Sequence, residues 1–449
     1  MSGSAPAQGA APGSTPGRRW AVAGVFALAV LARVMLLLGQ QTYRIDPADR
    51  HWLAGWETGR IAWHLVEGRG FALELEQFAP REATRTAWLA PVYPLIFAGI
   101  YLVFGLFSTA AYVAIFVLQI VVSGWTAVLL VRLGELLGSR TAGFLAGVFF
   151  AVWPPVVAFP VNIIWGTALF TALSLWVILL LLRQQRESRP RRAVLIGLVF
   201  GTLLLLEPAV GLFVPVALAW LAVRRGRGAA RQIVLILAVT AGMVTPWIIR
   251  SRAVLGEWVF IKSNLGHELF IGNNPLADGC YCRAQVFAEQ LFDEDTQEWL
   301  ETAGEREMAG MLGEAALGFV RQDPWHYLGL TARRVWMFWR TKFDPYWWKL
   351  TRNWRLEQRL LLWDETLHDL LLVLAYLGMV ISLKRRAGFG LPLLYLLTYP
   401  IPYYLTHIDI PRYRFPVMPL VILLAAYTGV EGWRWWRARR LRRRARAGC

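Results

Sequence analysis

The chain alternates long apolar runs with short basic links, and two extended polar stretches interrupt that alternation. Apolar runs fall near 20–39, 110–133, 141–161, 163–182, 193–206, 209–223, 232–249, 367–383, 389–405 and 415–433. Most approach the roughly 20 residues that cross a bilayer as a helix, and an open chain in lipid must satisfy its backbone internally, which favours helices over strands. Runs 193–206 and 209–223 are short and separated by Glu207-Pro208, so they read as two tight spans or one broken unit. The stretches 40–107 and 250–363 are too charged for lipid. The pattern predicts an all-α polytopic membrane protein of about 10–11 transmembrane helices, with interfacial helices in two large external loops. Its divisions are a disordered Ser/Ala/Gly/Pro-rich 1–17, an N-terminal transmembrane module 18–249 containing the first loop 40–107, a second loop 250–363, C-terminal transmembrane helices 364–433 and a basic tail 434–449. The first run lacks a convincing small-residue cleavage site and exceeds a signal-peptide core, so it reads as an uncleaved anchor.

Composition agrees: 449 residues, 56% hydrophobic, with a mean hydropathy of +0.42. The net charge of +17 changes the picture only through its placement. Arg18-Arg19, RQQRESRPRR at 183–192, RRGRGAAR at 224–231, 384–386 and the tail all reach one side if the ten runs cross and 88–107 does not. That is the positive-inside arrangement, which puts these links in the cytoplasm and both large loops outside a plasma (inner) membrane. It argues against nucleic acid as the reason for the charge. The segment 86–107, which begins TAWLAPVYPLIFAGIYLVFG, is then expected to lie in or dip into the outer leaflet. Its length also suits an ordinary span, the alternative. Cys280, Cys282 and Cys449 form neither a disulfide framework nor a metal set.

Within the first loop, 54–66 has helical spacing. Trp52, Trp56, Ile61, Trp63 and Leu65 suit an apolar side, and Glu57, Arg60 and His64 recur three and four residues apart on another. Such a helix is expected at the interface, tryptophans at headgroup level and charges toward water, ending at Gly68 and Gly70. The second loop opens with strand-like, turn-rich sequence (WVFIKSNLGHELFIGNNPLADG), continues as a polar helix over 296–321, and returns through the Trp/Arg-rich ARRVWMFWRTKFDPYWWKL.

No Walker loop, dinucleotide fingerprint, HExxH or GxSxG is present. Any reaction therefore needs a substrate already activated and delivered in the membrane. The motif E-x-G-R-I-A-x-x-L-x-x-G-x-G-F (57–71), T-A-W-x-x-P-x-Y-P (86–94), G-x-E-L-x-I-G-N-N-P (266–275) and P-R-Y-R-F-P (411–416), together with the loop–span order, resemble the membrane-embedded GT-C glycosyltransferases. The nearest likeness is to bacterial relatives of protein O-mannosyltransferases and lipid A aminoarabinose transferases. In one departure, position 54 is Ala where many relatives carry Asp.

The resemblance implies a sugar donor on a polyprenyl phosphate, a glycan, lipid or protein acceptor, surrounding membrane lipid and an inverting transfer. The leaving phosphate needs no proton, so one carboxylate suffices as general base. Glu57 ranks first for that role, then Asp49 and Asp46; the bland alternative pairs Glu57 with Arg60 or Arg50 on a solvated face. Phosphate needs Arg or Lys, for which Arg60, Arg81, Arg85, Lys262, Arg412 and Arg414 are the candidates, with lipid snorkelling the alternative for the last two. His267, Glu268 and Asn273 are acceptor-side candidates, or parts of a turn capping a strand. Glu207 is expected in an outer-boundary loop, and His407 carries no assigned role. No definite cofactor is indicated, and metal dependence stays open. A divalent ion is compatible with the carboxylates, although no ligand spacing demands one. The competing function is a transporter or flippase of lipid-linked glycans, which calls for mid-bilayer ionisable groups, broken helices and repeats. A structural assembly role would leave the charged first loop without a purpose.

Overall fold

The computed structural model of the protein describes residues 16–45, 55–74, 82–280, 284–340, 354–385, 388–408 and 412–447. Asp46, Asp49 and Arg81 lie outside the described residues. The described chain is almost entirely helical. α1 (Pro16–Gln40) leads into the first loop, which holds α2 (Trp56–Val66), a two-residue hairpin of β1 (Ala72–Leu73) and β2 (Thr84–Arg85), and α3 (Val92–Phe104). The bundle continues with α4 (Thr109–Leu136), α5 (Arg140–Val152), α6 (Pro154–Asn162), α7 (Thr167–Arg186), α8 (Pro190–Leu204), α9 (Phe213–Arg225) and α10 (Ala230–Leu255). The second loop carries α11 (Leu265–Gly272), α12 (Ala284–Leu291), α13 (Glu294–Thr302), α14 (Glu305–Gln322) and α15 (Pro324–Arg340). α16 (Trp354–Lys384), α17 (Gly390–Thr398), α18 (Ile401–Leu405) and α19 (Met418–Ala447) complete the chain.

The chain is a multi-pass membrane protein of the expected all-α class, but full-length spans are fewer than the run count predicts. Among the described residues six helical runs are long and apolar enough to cross a membrane, or seven if α5 and α6, bent by 53°, form one. Run 193–206 falls in α8, of 15 residues. Run 389–405 splits into α17 and α18 at Tyr399-Pro400, where proline removes a backbone donor. Run 209–223 falls in α9, of 13 residues, which ends at Arg225, and run 232–249 in α10, of 26 residues, separated from it by a break at Gly226, φ +61°. α3 has only 13 residues, about 20 Å at the helical rise, short of the bilayer core. Its length fits a segment that dips rather than crosses.

α7 and α19 lie inside the bundle, while α1, the 208–255 run and α16 turn most of their apolar surface outward. Leu31, Met35, Val103, Val234 and Tyr376 are among the large exposed apolar side chains, as a lipid-facing perimeter requires. Two polar side chains fix irregular backbone inside the bundle, where unsatisfied groups are costly. Arg33, fully buried in α1, donates to the carbonyls of Phe150, Ala151 and Val156 at 3.4, 3.3 and 3.1 Å, capping the α5–α6 break. Gln119 of α4 donates to the carbonyls of Pro160 and Ile163 at 2.9 and 3.0 Å and accepts from the Trp165 amide at 3.3 Å.

The basic links gather at one end. Arg18 pairs with Glu135, Arg186 reaches the Leu136 carbonyl, Arg225 donates to the Gln184 and Gln185 carbonyls, and Arg385 and Arg434 share Glu431. The opposite end is closed by the two loops packed together. One hydrophobic cluster there joins Ile61, Phe71, Leu73 and Trp88 of the first loop to Phe270, Leu300 and Leu312 of the second.

Three local expectations change. The helix at 54–66 exists as α2, begun by Gly55 at φ +78°, a left-handed backbone that glycine adopts without strain. It is not a surface float: Ile61, Ala62 and His64 are buried, because α3 and β1 pack against it, and Ile61 also enters the cluster shared with the second loop. The strand-like opening of the second loop forms no strand. His267 and Glu268 ride on α11, where a Cβ at Gly266 would run into the Ala309 carbonyl of α14, so that close crossing depends on glycine. The polar helix over 296–321 divides into α13, whose N-terminus is capped by Asp293 accepting from the Thr296 amide at 3.0 Å, and α14.

Candidate functional site

The chemistry-bearing residues converge where α2, α11 and the 412–416 segment meet. Glu57 stands in the first turn of α2, and its Oε1 accepts from the Trp88 indole Nε1 at 3.0 Å. Arg412, Lys262 and Glu268 are its charged neighbours. Burial raises the Glu57 carboxyl above the ordinary carboxylate value. The two cations and the Trp88 hydrogen bond oppose that rise, and Glu268 adds to it. The result is a carboxylate of increased basicity facing two cations.

Beside it opens a cleft. Thr58, Lys262 and Arg412 stand at its polar side, and Tyr93, Trp165, Tyr399, Tyr403 and Tyr413 supply aromatic wall. Thr167 and Phe170, at the start of α7, also line it, whereas α7 ends at Arg186 in the basic cluster. The cleft therefore belongs to the end of the bundle opposite the basic links. The Arg412 guanidinium lies 4.5 Å from the centre of the Trp165 ring and 5.5 Å from that of Tyr413, cation–π distances that hold a cation against an aromatic wall. The Gln119 contacts that fix Trp165 thus also fix the surface on which Arg412 rests.

The other candidates distribute as follows. Glu268 accepts from Asn264 Nδ2 at 2.7 Å and lies 3.3 Å from His407 Nδ1, whose Nε2 is 3.3 Å from the Tyr413 hydroxyl. A carboxylate–imidazole–phenol series thereby runs from α11 to the cleft wall. His267 is buried edge-on against Trp88, ring centres 4.9 Å apart, and burial lowers its pKa to about 4, so it is neutral at physiological pH. Asn273 ties segments together: its Nδ2 donates to the Leu269 and Leu405 carbonyls at 2.9 and 2.8 Å, and its Oδ1 accepts from Arg334 at 3.0 Å. Arg60 lies 4.0 Å from Glu74, which also takes the His64 ring at 2.8 Å. Arg85 is exposed on β2. Arg414 is fully buried away from the cleft, with Nη1 3.4 Å from the Phe338 carbonyl and 3.3 Å from His368 Nε2. Among the described residues, no three His, Cys, Asp or Glu side chains gather as a metal set.

Several neighbours carry no obvious sequence signal. Glu207, read as a boundary-loop residue, lines the cleft. Tyr399 and Tyr403 line it too; with Tyr395 they recur every four residues, a periodicity that marks one helical face. His407 joins Glu268 to Tyr413. Glu305, from the polar second loop, is buried against the first.

No protein-family model and no curated relative matches the sequence. Among solved structures, the oligosaccharyltransferase of Archaeoglobus fulgidus in its apo form aligns over 96% of this chain and 52% of its own, at 13% identity and a TM-score of 0.57. The archaeal oligosaccharyltransferase AglB from Archaeoglobus fulgidus, in complex with an inhibitory peptide and a dolichol-phosphate, aligns over the same shares at 12% identity and a TM-score of 0.55. ArnT from Cupriavidus metallidurans bound to undecaprenyl phosphate aligns over 92% of this chain and 78% of its own, at 13% identity and a TM-score of 0.38. The chain spans about half the length of the archaeal enzyme. At these identities the likeness is one of architecture: the chain has the fold of the membrane-embedded GT-C glycosyltransferases.

Proposed function

We propose that the protein transfers a sugar from a polyprenyl-phosphate-linked donor to an acceptor hydroxyl at the external membrane face, with inversion. The observation that carries this is the placement of Glu57 next to Arg412 and Lys262 at an aromatic-walled cleft, at the end of the bundle remote from the basic links. The Glu57 carboxylate takes the acceptor O–H proton as the acceptor oxygen attacks the anomeric carbon. The bond from that carbon to the phosphate oxygen breaks, and its electron pair leaves with the phosphate. Arg412 and Lys262 neutralise that charge where it gathers, the form of electrostatic stabilisation that contributes most to such steps. Glu57 is the preferred base, with Asp49 and Asp46 next; His267 and Glu268 stand on the acceptor side. The dolichol-phosphate in the archaeal structure supports a donor whose phosphate is carried by a lipid.

Two measurements test this. Purified protein given a labelled polyprenyl-phosphate sugar and candidate acceptors is expected to release free polyprenyl phosphate. Movement of intact donor across a vesicle membrane without cleavage would make it a flippase instead. For orientation, a cysteine introduced at Ser188, in the short link between α7 and α8 amid the arginines of 183–192, is expected to resist labelling from outside intact cells. External labelling there would invert the assigned sidedness.

A further inference from the structure

The buried carboxylate of Glu305 has no part in the proposed reaction, yet both of its oxygens are engaged. Glu305 is the first residue of α14 and is 7% exposed. Oε1 accepts from the Ala87 amide at 3.1 Å and from the Ser263 hydroxyl, and Oε2 accepts from the Thr86 hydroxyl. The Ser263 amide in turn donates to the Ala87 carbonyl at 3.0 Å. Arg250 adds a cation beside Glu305 and donates to the carbonyls of Thr86 and Phe71. One side chain from the second loop thus holds the first loop at Thr86–Ala87 and the approach to α11 at Ser263.

The contacts continue to the cleft on both sides. Thr86 Oγ1 accepts from the Trp88 amide at 2.9 Å, so its single proton is directed to Glu305. The Trp88 indole then donates to Glu57. On the other branch, Ser263 immediately follows Lys262, which lines the cleft. Base and cation come from loops far apart in sequence, and Glu305, together with the Ser263–Ala87 backbone bond, joins the two.

We propose that Glu305 is a positioning residue that sets Glu57, through Thr86 and Trp88, and Lys262, through Ser263, in register across the cleft. The proposal rests on the transferase reading for its kinetic consequence but not for its structural one. The two carboxylate oxygens take three donors. An amide of the same shape turns an NH2 group toward at least one of them, whereas a shorter carboxylate keeps the charge but loses reach.

The test combines amide hydrogen exchange with kinetics on the full-length protein in lipid nanodiscs. Glu305→Gln is expected to speed exchange at Ala87 and Trp88 while amides in α4 and α7 keep their protection. Transfer should fall about 10–100-fold, comparable to the loss of a residue that orients a functional group through a hydrogen bond, with Glu305→Asp recovering part of it. In a Trp88→Phe background, which already lacks the indole donor to Glu57, Glu305→Gln should cost less than in the wild type, the Lys262 branch alone remaining to be lost. If Glu305→Gln fails to fold, Ser263→Ala removes a single donor and should show the same pattern in smaller measure. Unchanged exchange at Ala87 and Trp88, or penalties that simply multiply in the double variant, overturns the proposal. Should wild-type protein release no polyprenyl phosphate, the transferase reading fails while the exchange result alone decides whether Glu305 holds the loops.

Discussion

Glu57→Gln is expected to lower sugar transfer about 10²–10⁴-fold, the usual worth of a general base, with little change in donor affinity. Glutamine keeps the size and still accepts from the Trp88 indole, so the local structure should survive while the ability to take a proton is lost. The pH profile gives an independent reading. Burial raises the Glu57 carboxyl above its ordinary value, so protonation removes the base at a pH where an exposed glutamate stays ionised. Transfer should therefore rise with pH through that elevated value and plateau above it, and Glu57→Gln should abolish this limb. Glu57→Asp should recover only part of the rate, because a shift of one methylene takes the oxygen out of hydrogen-bond reach. Asp46→Asn and Asp49→Asn should cost less. Wild-type transfer by Glu57→Gln, with either aspartate variant dead, would move the base upstream.

Arg412→Gln should lower transfer about 10²–10³-fold, as removal of one preorganised donor to a developing anion commonly does. The loss combines a charge at the cleft with the cation–π contacts to Trp165 and Tyr413. Arg412→Lys should restore part of it, since an ammonium supplies the charge but neither the planar fork nor the stacking surface of a guanidinium. The contrast with Arg414, two residues on, is sharp. Its guanidinium is buried among the Phe338 and Trp339 carbonyls and His368, so Arg414→Gln is expected to lower the melting temperature more than the turnover of the protein that stays folded. Thermal unfolding and single-turnover rates on both variants check this. Normal kinetics in Arg412→Gln, or slow turnover with unchanged melting in Arg414→Gln, would exchange the two roles.

The sequence carries what depends on neighbours a few residues away or on the solvent. Apolar run length sets helix and membrane, since lipid imposes the same requirement on every run. Arginine placement marks the links that the fold brings together at one end. The three- and four-residue spacing of Glu57, Arg60 and His64 marks α2. In PRYRFP the sequence offers two equivalent arginines, and only the fold separates one at the cleft from one in the core. The inward burial of α2, the helical α11, the Arg33 cap on the α5–α6 break and the Glu305 contacts were decided by tertiary structure. The last two join residues more than 100 positions apart, Arg33 with Phe150 and Glu305 with Thr86. A polar side chain in an isolated segment shows only its charge. Whether it is solvated, capping a broken helix or holding two loops depends on which unsatisfied backbone groups packing brings to it, and burial makes those pairings obligatory.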